Sequence, residues 1–142
     1  MKLRAILFVL AALTILIFAK RWRETNQGKL IPLTNLVVIP RDASVVHKTA
    51  ATELATFLRW DKVTEMDVNP VCCLWIEKPG WKPDLETSGY IIVNQKGGSV
   101  ILSSDDDQLH AAIQSFKQVV QWKDNRAHVP LGVLTSYPIA QR

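Results

Sequence analysis

Cysteine is scarce in this chain: Cys72 and Cys73 are its two cysteines, and they are neighbours. Neighbours on a strand point to opposite faces, and a vicinal disulfide is strained. A disulfide framework is therefore excluded, and two buried core thiols are expected. No CxxC and no Cys/His spacing suited to zinc occurs. Glycine is also sparse, and no GxxxxGK[ST] or GxGxxG follows a strand, so no phosphate-cradling loop is written here. The few histidines, His47, His110 and His128, have no nearby Ser, Cys or acid in a nucleophilic pattern. They read as surface or partly buried side chains. Internal repeats and low-complexity tracts are missing as well.

A basic folded surface is the next absence. The chain of 142 residues carries a formal charge of +4, but the excess is local. Residues 1–35 hold Lys2, Arg4, Lys20, Arg21, Arg23 and Lys29 against Glu24, which is +5. Residues 36–142 hold 11 basic and 12 acidic side chains, which is −1, and 5 − 1 recovers the total of +4. A nucleic-acid module concentrates Lys and Arg on its folded part. This chain does the opposite, so no nucleic-acid partner is expected.

What is present begins with "AILFVLAALTILIFA", Ala5 to Ala19, an uncharged run flanked by basic residues on both sides. As a helix it would span roughly 22 Å, short of a ~30 Å hydrocarbon core unless flanking side chains snorkel. That length also suits a secretory h-region, but Ile17 stands where a cleavage site after Ala19 wants a small residue. Residues 1–23 are therefore read as an uncleaved signal anchor, with the membrane as partner through residues 5–19. The folded part then lies on the periplasmic or extracellular side, and is secreted if the segment is cleaved. Residues 24–35 read as a linker and 36–142 as one domain.

Along that domain, "LVVIP" (Leu36 to Pro40) is a β-branched strand. A helix follows, capped by Asp42 or Ser44, with Val46, Ala50, Leu54, Phe57 and Leu58 at helical spacing. Val71 to Ile76 reads as a strand and "PGWKP" as a loop. Tyr90 to Val93 and Val100 to Leu102 read as a hairpin joined through Asn94, Gly97 and Gly98. A second helix, "DNRAH" as a loop and a strand from Val129 complete the order β-α-β-β-β-α-β. The expected fold class is α+β: a single mixed or antiparallel sheet with two helices packed on one face, preceded by the hydrophobic anchor helix.

The second helix opens on Asp105, Asp106 and Asp107, then shows Leu109, Ala112, Ile113, Phe116, Val119 and Val120 on one stripe. Carboxylates at that place cap orphan N–H groups and complement the macrodipole. Three consecutive acids converge poorly on a cation, so N-capping is the expected role and no metal or cofactor is expected. A small enzyme built on this acidic run is the rival reading. Among the tryptophans, Trp81 and Trp122 are the candidates for stacking on a sugar, because an indole face suits the apolar face of a pyranose. Trp60 belongs to the same group, and all three can equally seal the edge of a core.

Four stretches carry a resemblance: "AATELATFL" (Ala50 to Leu58), "ETSGYIIV" (Glu86 to Val93), "SVILSS" (Ser99 to Ser104) and "AIQSFKQVV" (Ala112 to Val120). With Gly89, Tyr90, Gln114, Ser115 and Gln118 in matching places, residues 36–138 resemble the small domain that precedes the catalytic barrel in β-N-acetylhexosaminidases of glycoside hydrolase family 20. The sequence departs from that pattern at Ala111 and Ala112, where the family has an aromatic and a glycine. It departs again at Ser136 and Ile139, where the family has an acid and an arginine, and it keeps Pro138 between them. The family's catalytic Asp–Glu pair lies on a barrel that itself needs about 250 residues. The resemblance thus implies a domain without catalytic residues, serving as a scaffold or an accessory module toward a glycan, a separate glycosidase or another protein. A glycan-binding module using Trp81 and Trp122 remains an alternative at this point.

Overall fold

The structure, a computed structural model, describes residues 29–83 and 87–137. The anchor expected over 1–23 lies outside the described residues, as do Glu86, Pro138 and Ile139. No helix among the described residues is long and apolar enough to cross a membrane.

In chain order the elements are β1 (Leu30–Pro32), β2 (Val37–Pro40), α1 (Val45–Phe57), β3 (Val63–Met66), β4 (Leu74–Ile76), β5 (Tyr90–Gln95), β6 (Gly98–Ser103), α2 (Asp106–Val119), β7 (Gln121–Lys123), β8 (Arg126–Pro130) and β9 (Gly132–Thr135). The class is α+β, as expected. The single sheet is corrected to two: a mixed six-stranded sheet ordered β3-β2-β4-β6-β5-β9 and an antiparallel three-stranded one ordered β1-β8-β7. β2, β3, β4 and β6 run parallel, with α1 as the crossover from β2 to β3. β5 lies antiparallel between β6 and β9.

The smaller sheet shows why the sequence understated the strands. Leu30–Pro32 falls within the stretch read as linker, yet Ile31 and Leu33 are buried, because β1 pairs with β8 and the loop beyond it bonds Leu33 N–H to the Ala127 carbonyl at 2.9 Å. "DNRAH" is not a loop but a tight hairpin. Asp124 and Asn125 take φ of 52° and 61°, the left-handed pair of a type I′ turn joining β7 to β8. Val63–Met66 was missed as well, since it is a half-buried edge strand with little alternation.

Both helices and the smaller sheet cover one face of the six-stranded sheet. Phe116, Ile113 and Leu109 of α2 and Leu54 of α1 meet Ile76, Ile92 and Ile101 of the sheet in one fully buried cluster. Burial of side chains this size stabilises the fold by ~1.5–3 kcal/mol each before entropy is counted. The stripe expected on α1 is rotated. Val46 is 50% exposed and His47 is buried with Ala50, Ala51, Leu54 and Ala55. Alanines there let the helix lie close to the strands.

Alternation along the strands fixes what points to the other face. Ile92 and Ile101 belong to the helix-side cluster, so their neighbours Ile91, Val93, Val100 and Leu102 point outward. Val38, Cys73 and Trp75 form a small second cluster there, with Leu36, Met66 and Val100 against it. Two close approaches rim this outer face. A Cβ on Gly98 would stand 2.1 Å from the Val71 carbonyl, and one on Gly89 would stand 2.8 Å from the Tyr137 ring. The segment before β4 therefore lies over the start of β6, and Tyr137 lies over the start of β5.

Candidate functional site

The acidic run was the first candidate. Asp105 is the N-cap of α2: its backbone is extended and its Oδ1 accepts from the Gln108 N–H at 2.8 Å. Ser104 Oγ donates to the other carboxylate oxygen at 3.2 Å. The Gln108 N–H bond is the main reason the Asp105 carboxyl titrates below its usual range. Asp106 and Asp107 are exposed in the first turn, at the positive end of the helix. The three side chains do not converge. Among the described residues no group of three His, Cys, Asp or Glu side chains is gathered as a metal site.

Ser44 caps α1, and its Oγ accepts from the His47 N–H at 3.2 Å. His47 was expected at the surface or partly buried. It is instead fully buried, with Nε2 2.8 Å from the Ile76 carbonyl, which acts as acceptor and so places the ring proton on Nε2. Its Nδ1 has no hydrogen-bond partner. Desolvation holds the imidazole pKa below 6.5, opposed by the Ile76 carbonyl and by the Glu77 and Asp106 carboxylates. A neutral, sealed histidine packs the start of α1 onto β4 and has no route to a substrate.

The paired core thiols are half corrected: Cys73 is buried and Cys72 is exposed. Burial, with a smaller contribution from Cys72, pushes the Cys73 thiol up to about 11, which removes thiolate character at neutral pH. Val71 beside them sits at φ 72°, where a β-branched residue is strained. Asn69 Oδ1 holds that turn by accepting from the Val71 N–H at 2.8 Å.

The two tryptophans proposed for sugars sit in different places. Trp122, on the exposed strand β7, is 37% exposed. The Arg59 guanidinium lies 4.3 Å over its ring, and Phe57 leans against it at 6.4 Å between centroids. Lys117 stands 5.6 Å from the Phe57 ring and pairs with Glu53, whose carboxyl it holds below the usual range. One indole face of Trp122 is therefore taken by a cation. Arg59 itself, two residues past the end of α1, is left-handed at φ 62°. No local sequence signal links Arg59 to Trp122. Trp81 is half-buried and packs edge-on against Tyr137 at 6.0 Å and 72°. Trp60 packs against the main core. Trp81 lies near Asp105, its backbone N–H donating to the Ser103 carbonyl at 2.9 Å, whereas Trp122 sits apart on β7 with Arg59 and Phe57.

Neither a family model nor a curated protein matches the chain. Solved structures do. A β-N-acetylhexosaminidase of glycoside hydrolase family 20 from Streptomyces coelicolor A3(2) superposes with a TM-score of 0.60 at 15% identity, over 80% of this chain and 24% of that one. The N-acetyl-β-hexosaminidase of Streptomyces plicatus gives 0.58 at 16%, over 78% and 23%. The chitobiase of Flavobacterium johnsoniae gives 0.58 at 17%, over 80% and 19%. What they share with this chain is a fold. It is the fold of a fragment of the family 20 hexosaminidases, resembling the N-terminal domain to which the four sequence stretches pointed. The chain spans a quarter or less of the length of these enzymes.

Proposed function

We propose that this chain is a membrane-tethered, non-catalytic domain of the hexosaminidase type, acting as a scaffold or accessory interaction module in carbohydrate metabolism. The tether is the run from Ala5 to Ala19, and the folded part stands outside the cytoplasmic membrane. The observation that carries the reading is the fold shared with a minor fraction of larger glycosidases. Fold by itself does not confer their activity. The capping role of Asp105 supports it further: that carboxylate is occupied by Gln108 and Ser104, so the acidic run is employed in starting α2. Glycoside hydrolysis needs two carboxyls facing each other across a bond.

The test is to assay the full chain in detergent against a chromogenic N-acetylglucosaminide. No release above buffer is expected. Turnover that disappears when Asp105, Asp106 and Asp107 are changed to Asn would establish the small-enzyme reading instead. The tether is checked by alkaline extraction of membranes from expressing cells. The full chain stays in the pellet if the run anchors it and appears in the supernatant if it does not. Calorimetric titration with chitin oligosaccharides decides the glycan-binding alternative: heat that is lost in Trp81→Ala or Trp122→Ala would replace scaffolding with sugar recognition.

A further inference from the structure

We infer that the free edge of β7, with the cations around Trp122, is a docking surface for anionic lipid headgroups of the bilayer in which the chain is tethered. The inference rests on the tether proposed above. In the three-stranded sheet ordered β1-β8-β7, β7 pairs on one side only, so side chains from both of its faces line an open edge. Gln121, Trp122 and Lys123 are all exposed. The tight turn at Asp124 and Asn125 then sets Arg126, also exposed, directly opposite Lys123. On the other face of the strand, Trp122 carries the Arg59 guanidinium 4.3 Å over its ring. Three cations and one amphipathic ring thus share one edge.

The charge of this edge is unanswered within the fold. Like charges directly opposite each other weaken a ladder, so the Lys123–Arg126 pair does nothing for the sheet itself. Arg41, Lys48, Lys78 and Lys117 are held in ion pairs with Asp67, Glu65, Asp42 and Glu53. Among the described residues Arg59, Lys123 and Arg126 enter no ion pair, and neither does Asp124 in the turn between the strands. Residues 36–142 sum to −1, so the positive edge is a local concentration and not the sign of the whole domain. Guanidinium and ammonium groups left free in this way are complementary to phosphate.

Position selects lipid over a soluble polyanion. β1 is the first described strand after the tether, and β7 lies two strand spacings from it, about 10 Å. Residues 20–28 span at most about 32 Å even when fully extended, which keeps this sheet close to the bilayer surface. Lys20, Arg21, Arg23 and Lys29 add charge of the same sign along the way. An indole on the edge suits the headgroup level, where its body is apolar and its N–H stays wet. Three cations beside an anionic surface favour the docked state about a hundredfold. That is too little to recruit a free domain to a membrane, but enough to orient one already tethered there.

The test places the full chain in lipid nanodiscs that carry a headgroup nitroxide, with a fluorophore on Gln121→Cys in a Cys72→Ser background. The label should be quenched in discs rich in phosphatidylglycerol and largely unquenched in discs of phosphatidylcholine. Raising the salt from about 0.1 M to about 1 M shortens the screening length from about 10 Å to about 3 Å, and should release the label while the chain stays in the disc. Changing Arg59, Lys123 and Arg126 together to Gln should make anionic discs behave like neutral ones. A label on Asp107→Cys, at the far end of α2, should stay unquenched throughout. A chain that remains in the disc with Gln121→Cys unquenched in both compositions overturns the inference and leaves the tether standing. Equal quenching at Asp107→Cys also overturns it, because the domain then lies on the surface without orientation. A chain that leaves the disc at high salt is not anchored, which overturns the tether and this inference with it. A label that responds to soluble polygalacturonate but not to phosphatidylglycerol assigns the edge to an acidic glycan and overturns the inference as well.

Discussion

The two faces of the six-stranded sheet are built from the same strands and meet different fates. On the helix side, Ile76, Ile92 and Ile101 are sealed under Phe116, Ile113 and Leu54, with charges such as Lys48, Glu53 and Lys117 kept on the outer surfaces of the helices. On the other side, Val38, Cys73, Trp75 and Ile91 are buried with no helix above them among the described residues, while Val93, Val100 and Leu102 stand partly exposed between two rims of loop. A side chain gains from burial only when something lies on top of it. The difference therefore teaches that apolar character along a strand shows where cover is wanted, while the order of elements decides which face receives it.

The comparison can be broken or sharpened by mutation, beginning with the largest effect. Phe116→Ala on the covered face should lose about 3–5 kcal/mol in denaturant melts, through lost transfer energy and the cavity left behind. Val93→Ala on the open face should lose about 1 kcal/mol or less, since a half-exposed site creates no closed cavity. Equal losses would mean that the open face is packed as a core. Next come the rims. Gly98→Ala drives a Cβ into the Val71 carbonyl, and Gly89→Ala drives one into the Tyr137 ring. Each should cost about 1–3 kcal/mol, with Gly98→Ala the larger, because a backbone carbonyl cannot rotate away as a ring can. Asp105→Ala should cost about 1 kcal/mol as a lost cap. A loss of enzymatic activity without a loss of stability would contradict that role.

His47 makes the stability depend on pH on the acid side. Its folded pKa lies below the unfolded value of 6.5, so below that pH the unfolded chain binds the extra proton. Stability is then fully present above pH ~6.5 and falls as the pH drops through 6.5 toward the folded pKa. His47→Gln should flatten that slope in melts from pH 7.5 to 5, even if it lowers stability throughout. A slope unchanged by the substitution would assign the acid sensitivity to other groups. The smallest effect belongs to the exposed Lys78–Asp42 pair at 2.6 Å, where Lys78→Ala should leave the melting temperature unchanged within error.

Much of the covered face was legible in the sequence, because Leu109, Ala112, Ile113 and Phe116 repeat with the helical period behind the capping Asp105. The hairpin of β5 and β6 was legible from Gly97 and Gly98, although its strands run two residues further on each side of the turn. The stripe of α1 was misplaced because Val45 and Val46 look like core and are exposed, whereas His47 looks like surface and is buried. Hydropathy alone cannot tell which of two adjacent positions faces the sheet. The strand at Leu30–Pro32 hid in a polar neighbourhood, and its partner strand, Arg126–Pro130, lies far along the chain. Candidate sites fared less well: the capping place of Asp105 is local chemistry, but the cation over Trp122 and the ring over Gly89 come from distant parts of the chain.

The sequence by itself determined the local choices: where helices start, where the hairpin turns, that the folded part is nearly neutral and that its strands are apolar on both sides. These follow from caps, periodicity and charge, which act over a few residues. Only the tertiary structure decided that the chain closes a second small sheet, that His47 is sealed between α1 and β4, and that, among the described residues, both helices lie on one face of the main sheet. Those outcomes depend on contacts between residues far apart in the chain, whose formation no local preference encodes.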